Sequence, residues 1–416
     1  MIRFLNGGYL ASQTLPNHGY PYQISGSNLY VNYTNVSFVP GTVFYFEQYR
    51  GLEVYGTLNA IGTETQPIIF DRPQGTTYFW SRIYMPNNSN ASFAYCQFNN
   101  CGIRNEYGYD NAFLDNAGAT SLSLQNCQIT NVDAQAISCH DFGSGDSVQI
   151  SNVQINGCRT DGFWCDTSYI TLEVDGLSIS GCLRNPISIL PMHAGCIENL
   201  ILSDNTNNDI RLFGYNGISG SVHFDNLGYT YRCEEGLIGN GGSDISFAPG
   251  CIFWINDNRP MSFYGTVNAT GTASEPIIFT RYPSSENHWL GFVLYNGGWG
   301  SFAHCQINFA GAQETYGGRR AFTNNGASNL SFSNCKIQNS FGDGFVCFDM
   351  QNTDVLTISN LSILDAAAAG FVSDVYFHSF SADELTITNP GTWPIYTGVD
   401  LLDGFTNVTI TNPGTP

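Results

Sequence analysis

Lysine is nearly missing from this chain. A single Lys336 stands beside 13 arginines, against 34 acidic residues among 416, for a net charge of −20. That sign repels a nucleic-acid backbone, and no Arg/Lys cluster reverses it locally, so nucleic acid is excluded as a partner. A Gly-Lys-Ser/Thr phosphate loop is ruled out, because the lysine lies in "NCKIQN". Long apolar runs are also lacking. None approaches the ~20 residues of a membrane span, so membrane insertion is not expected. The opening "MIRFLNGGYLASQTL" has too short an apolar core for a secretory signal, and an export signal is expected to be absent from this chain. There is no Cys-x-x-Cys, HxH or HExxH, so no metal centre or cofactor is expected. Calcium, which takes oxygen ligands, is left open without being predicted.

What the chain has instead is aromatic and strand-forming. Charged residues make up only 12%, while Tyr and Phe number 23 and 29, which is unlike a disordered chain. Val, Ile, Thr, Tyr and Phe separated by Asn, Gly and Ser read as many short strands.

The chain also repeats itself. "GTLNAIGTETQPIIF" (56–70) returns as "GTVNATGTASEPIIF" (265–279), and "SFVPGTVFYF" (37–46) as "SFAPGCIFWI" (246–255). "FAYCQFN" (93–99) returns as "FAHCQIN" (302–308), and "NCQITN" (126–131) as "NCKIQN" (334–339) with one residue lost. Two tandem modules are therefore expected, 18–208 and 227–416, with an N-terminal segment 1–17 and a connecting coil 209–226. Within each module a finer period appears. Polar bends at Asn126, Asn152, Gly176 and Asn199 recur at Asn334, Asn360, Glu384 and Asn407 with identical steps of 26, 24 and 23. Each bend lies between two short alternating strands, and a third strand such as "AISC" or "GFWC" closes the unit. Stacked bend asparagines are expected to hydrogen-bond in ladders.

This pattern resembles the right-handed parallel β-helix repeats of bacterial secreted and surface proteins, pectin-lyase-like in form. The resemblance implies an all-β fold, a right-handed β-solenoid of about sixteen coils with three strands per coil. It says little about activity, since that superfamily holds lyases, hydrolases, tailspikes and adhesins. The polygalacturonase-like set reduces here to a lone Asn352-Thr353-Asp354, and Lys336 has no acidic cluster beside it to make a lyase base. No catalytic residue is assigned.

Candidate ligand-binding residues come from the ends of the third strands. Asn116, Asp141 and Asp166 in the first module, and Asn325, Asp349 and Asp374 in the second, form an expected outward or turn-facing column. Carboxylates there serve glycan or cation contact, or cap turns through the backbone. Trp164, between inward Phe163 and Cys165, is placed outward where a ring can stack on a sugar. Asp161, Asp343 and Asp403, each in "DGF", read as turn signals. The 13 cysteines are an odd number, so at least one is unpaired within the chain. Cys158 and Cys182 fall one coil apart, as do Cys139 and Cys165. They are expected to pack as buried thiols, because the rung spacing exceeds the preferred Cβ separation of a disulfide, with a disulfide between neighbouring coils left open as the alternative.

The sequence thus points to a non-catalytic extracellular or cell-surface protein, structural or adhesive. Its expected partners are polysaccharide and its own copies, end to end or laterally in fibres. The alternative is a tailspike-like polysaccharide hydrolase or lyase using carboxylates on adjacent coils.

Overall fold

A strand whose alternate residues are apolar buries one face, and a chain that does so every eight residues or so winds inward-facing rows around one core. The computed structural model describes residues 1–413 except 5–7, 104–111, 215–216, 313–318, 352 and 374–378. It is a parallel β-solenoid, about 16 coils in all. The chain divides into two compact units, Met1–Ile210 and Arg211–Pro416.

In unit one, three parallel sheets line the core. The first has nine strands, from Ile2–Phe4 to Ile201–Ser203, and the second has eight, from Gln13–Leu15 to Ile197–Glu198. The third runs from Gly8–Leu10 through Ile83–Pro86, Ala112–Ala117, Gln135–His140 and Phe163–Cys165 to Ile187–Ile189. Unit two repeats the plan, its third sheet carrying seven strands from Leu237–Gly239 to Ile395–Thr397.

Inward rows are filled by like residues on successive coils. In unit one Tyr22, Phe44, Phe70 and Phe98 stack at 5.5, 5.3 and 4.9 Å. In unit two Phe263, Phe292, Phe322, Phe345 and Phe371 stack at 5.9, 5.8, 5.1 and 5.5 Å. Trp80 and its counterpart Trp289 are fully buried, and each indole N–H donates to a backbone carbonyl at 2.8 Å, of Asn99 and Asn308. Burying an indole without that bond would cost a desolvation penalty, so the duplicated bond accompanies the duplicated ring.

The predicted bends are left-handed residues, φ +50° at Asn126, +52° at Asn152 and +50° at Asn199, and +52° and +58° at Asn334 and Asn360. Asparagine tolerates this region better than branched residues do. In unit two the flanking short strands merge into ten-residue strands, Asn329–Gln338, Val355–Leu364 and Ser379–Thr388, with the bend as an internal kink. Ladders form in part. At the predicted bends Asn360 Nδ2 donates to Asn334 Oδ1 at 2.8 Å; a similar pair, Asn131 Nδ2 to Asn100 Oδ1 at 2.7 Å, lies at a different turn.

One cysteine expectation is corrected. Cys158 and Cys182 form a disulfide, their Cα atoms 4.5 Å apart. Such a separation lies inside the range that disulfides span, so the parallel rung brings the sulfurs within reach.

Candidate functional site

The rows of the third sheet differ between the two units: inward Leu52, Ile83, Leu114 and Ile137 are replaced by Met261, Phe292, Phe322 and Phe345, and the outward rows differ in polarity. In unit one, Tyr30, Glu53, Tyr84, Asp115, Ser138, Trp164 and Ser188 lie side by side on successive coils. The corresponding row of unit two reads Ser262, Val293, Thr323, Val346, Val372 and Tyr396 from the Glu53 position onward. One module carries acids and aromatics where the other carries three valines with Ser, Thr and Tyr.

The duplication register needs one correction to see this. Asn116 was expected to match Asn325 in an outward column. Asn116 is instead fully buried, with Oδ1 accepting the Ala119 N–H at 3.0 Å; Asn324 does the same for Ala327 at 3.0 Å. Asn324 is therefore the counterpart of Asn116, and the one-residue loss precedes this strand. Asn116 faces the core and offers nothing to a ligand.

On unit one, Asp115 bridges two cations. Arg82 ion-pairs with its Oδ2, and His140 Nε2 lies 2.8 Å from its Oδ1. His140 Nδ1 lies 2.8 Å from Asp141 Oδ2, and the Arg82 guanidinium sits 4.5 Å over the Tyr84 ring. Asp141 is an exposed turn residue at φ +60°. The bond to Asp115, against the cost of burial, pushes the His140 imidazole up to about 9. Asp166, half-buried one coil on, has its carboxyl raised by burial, partly offset by the His140 charge. Two coils back, Tyr55 donates to Glu53 Oε2 at 2.9 Å. In unit two, Gly291, Thr323 and Phe348 stand where Arg82, Asp115 and His140 stand, so this ion cluster belongs to one module.

The cluster has a pH signature. A histidine whose folded value lies above its unfolded ~6.5 stabilises the fold fully below that pH and loses the effect as pH rises through about 9. With discounting for solvent screening, stability should fall by about 1–2 kcal/mol between pH 6.5 and 9.5. Urea unfolding across that range should show the decline, and His140→Gln should flatten it. An unchanged slope in the variant would remove His140 as its source.

Unit two offers a cavity instead. The Tyr264 and Tyr295 rings stack at 4.3 Å with planes 6° apart, and Asn325 then Phe348 continue the row. The short Asn325 side chain between two aromatic rings leaves a notch. It is an open surface pocket of about 380 Å³, lined by Tyr264, Tyr295, Asn296, Asn325, Asp349 and Gln351. Asp349, at φ +49°, is the structural counterpart of Asp141.

Of the residues singled out from sequence, Asp141, Trp164 and Asp166 share the third-sheet face of unit one, while Asn325 and Asp349 meet in the cavity of unit two. Asp374 and Asn352 lie outside the described residues. Asp161 and Asp343 are turn makers: Asp161 accepts from the Asn185 N–H at 3.2 Å and the Ser188 hydroxyl at 2.9 Å, and Asp343 from the Ala369 N–H at 3.0 Å. Sequence reasoning missed Arg82, Asp115, His140, Tyr264 and Tyr295. Divergence between the modules marks Arg82, Asp115, His140 and Tyr295, the middle two only once the lost residue is placed correctly, whereas Tyr264 repeats Tyr55 and carries no such signal.

Comparison with protein-family models finds no match to this chain, and comparisons with curated proteins and with solved structures find none either. The likeness to bacterial β-helix proteins therefore rests on the coil architecture alone. Among the described residues no group of three His, Cys, Asp or Glu side chains is arranged to hold a metal ion.

Proposed function

We propose that this protein is a non-catalytic, extracellular or cell-surface β-solenoid that binds neutral polysaccharide on the third sheet of unit two. The cavity beside the stacked Tyr264–Tyr295 pair carries the reading. Aromatic surface packs against the C–H faces of a sugar ring, while Asn296, Asn325 and Gln351 supply both donors and acceptors for hydroxyls, and Asp349 accepts. A volume of about 380 Å³ falls within the span of small-ligand pockets. The net charge of −20 disfavours uronate polymers, which leaves neutral glycans. Self-association along the solenoid belongs to the same reading, since an adhesive protein gains avidity from repeated sites.

The test is affinity electrophoresis through gels carrying neutral glucan, mannan or xylan. Retardation on at least one of them is expected, with Tyr295→Ala weakening it roughly tenfold, about 1.4 kcal/mol. No retardation of the wild type, or equal retardation of the variant, would sink the proposal.

A second reading has one observation in its favour. Asp166, with its carboxyl raised by burial, lies on the coil beside His140 and Asp141, which sets two carboxyl groups on adjacent coils. Release of reducing ends from the same polysaccharides, lost in Asp166→Asn, would establish hydrolysis. Binding without release would leave the first reading standing.

A further inference from the structure

Beneath the bend between the first and second sheets, both modules carry the same pair of thiols. Cys96 and Cys127 are neighbours on adjacent coils, as their following residues Gln97 and Gln128 are paired in register. Cys305 and Cys335 repeat this through Gln306 and Lys336. All four side chains are buried, with relative exposures of 4% or less. Their surroundings match as well. Cys96 Sγ lies 3.3 Å from the Ala60 carbonyl and Cys305 Sγ 3.1 Å from that of Ala269; Cys127 Sγ lies 3.5 Å from Phe93 O and Cys335 Sγ 3.4 Å from Phe302 O.

The same inward row continues as Ile68 before Cys96 and as Ile277 before Cys305, then as Leu361 and Leu385 beyond Cys335. One rung before Ile68 and Ile277 stand Thr42 and a lone Cys251, but at the same place in both copies two successive rungs hold cysteine. One coil pair elsewhere in unit one shows what such a placement permits, since Cys158 and Cys182 are bridged. A second, independent feature is the surface directly above the buried pair. An open polar groove of about 430 Å³ lies over the unit-one pair, lined by Cys96 and Cys127 together with Gln97, Asn126, Gln128 and Gln154.

We propose that Cys96–Cys127 and its counterpart Cys305–Cys335 are coil-to-coil disulfide sites, closed by exchange with a low-molecular-weight disulfide. In each pair one thiol donates a hydrogen bond to the other, which holds the accepting sulfur, Cys127 or Cys335, below the usual thiol range. The accepting sulfur is thus the attacking thiolate. Cys127 attacks one sulfur of the incoming disulfide, a mixed disulfide forms, and one small thiolate leaves. Cys96, losing its proton, then attacks Cys127 Sγ, and the second small thiolate leaves. The pair gives up two electrons and two protons, and the small disulfide becomes two thiols. The consequence is mechanical. Each bridge ties two neighbouring coils directly beneath the bend, where a solenoid otherwise holds its coils by rung hydrogen bonds and packing alone.

The inference is independent of the glycan reading and is tested on the whole protein without any ligand. Purified protein is incubated with oxidised glutathione, alkylated, digested without reduction and analysed by mass spectrometry. Peptides linking Cys96 to Cys127 and Cys305 to Cys335 are expected beside the Cys158–Cys182 link. Recovery of Cys96 and Cys127 as alkylated thiols, or linkage of either to any other cysteine, would overturn the proposal. Cys96→Ser should stop the exchange half-way and retain glutathione on Cys127; an unmodified Cys127 in that variant would overturn the route through the groove. In a Cys158→Ser/Cys182→Ser background, oxidised protein should unfold in guanidinium roughly tenfold more slowly than reduced protein. Equal rates would mean that the bridges tie nothing.

Discussion

Replacing Phe322 with alanine is expected to cost about 3–5 kcal/mol of stability, read as a lower denaturant midpoint at unchanged slope. The ring is fully buried and takes part in two stacks at once. Along the solenoid it lies 5.8 Å from Phe292 and 5.1 Å from Phe345 in near-parallel arrangement, and across the core it meets Phe302 at 5.3 Å and Phe332 at 4.8 Å edge-on. Four rings would lose a partner, and none can collapse into the gap. Each is held on a strand whose position is set by rung hydrogen bonds to the coils on either side, so the cavity term adds to the transfer term. Phe322→Leu, which keeps most of the volume, should cost less than half as much. An alanine variant within 1 kcal/mol of wild type would mean that the aromatic column is not what organises the core of unit two.

How much of this was legible beforehand follows from which residues face inward. Alternation writes itself into every strand, so the core rows, the bends and the duplication could be read directly; Phe263 through Phe371 obey the period whatever surrounds them. Outward residues obey no period. Tyr264 and Tyr295 are ordinary strand-end tyrosines in the sequence, and only their stacking on adjacent coils, with the short Asn325 on the next, makes a notch. Asp115 and His140 likewise acquire meaning from one another across a coil. The column of Asn116 and Asp141 was read as one face because both end a third strand. Register separates them, however: Asn116 pairs with inward Cys139, two positions before Asp141, which lies in the turn beyond the strand. Cys158 and Cys182 were misjudged from nominal strand spacing, since local approach between two rungs is a property of the coil and not of the residues.

The most literal repeat in the chain makes its own prediction. Gly56 and Gly265 open the duplicated fifteen-residue stretch, and neither adopts a left-handed conformation, so freedom of the backbone is not the reason for glycine there. Close approach is. A Cβ on Gly265 would lie 2.3 Å from the Ser243 carbonyl oxygen and 2.7 Å from its nitrogen; on Gly56 it would lie 2.4 and 2.6 Å from the same atoms of Thr34. Those carbonyls are the acceptors of the next residues' rung bonds, from the Thr266 N–H at 2.7 Å and the Thr57 N–H at 2.9 Å. A methyl group would therefore force apart the very rung it sits on. The glycine's own carbonyl, which accepts from the following coil at Trp299 or Asn90, would move with it. Gly265→Ala and Gly56→Ala should each cost about 2–4 kcal/mol, since backbone and not a flexible side chain must give way. Gly220→Ala is the control. It has open space around the added carbon and a φ of +82°, so only the conformational penalty of about 1 kcal/mol applies. Equilibrium unfolding in urea distinguishes the two causes. If Gly265→Ala costs no more than Gly220→Ala, the coils have room to yield at that corner, and close packing of one coil on the next is not the reason both halves carry glycine there.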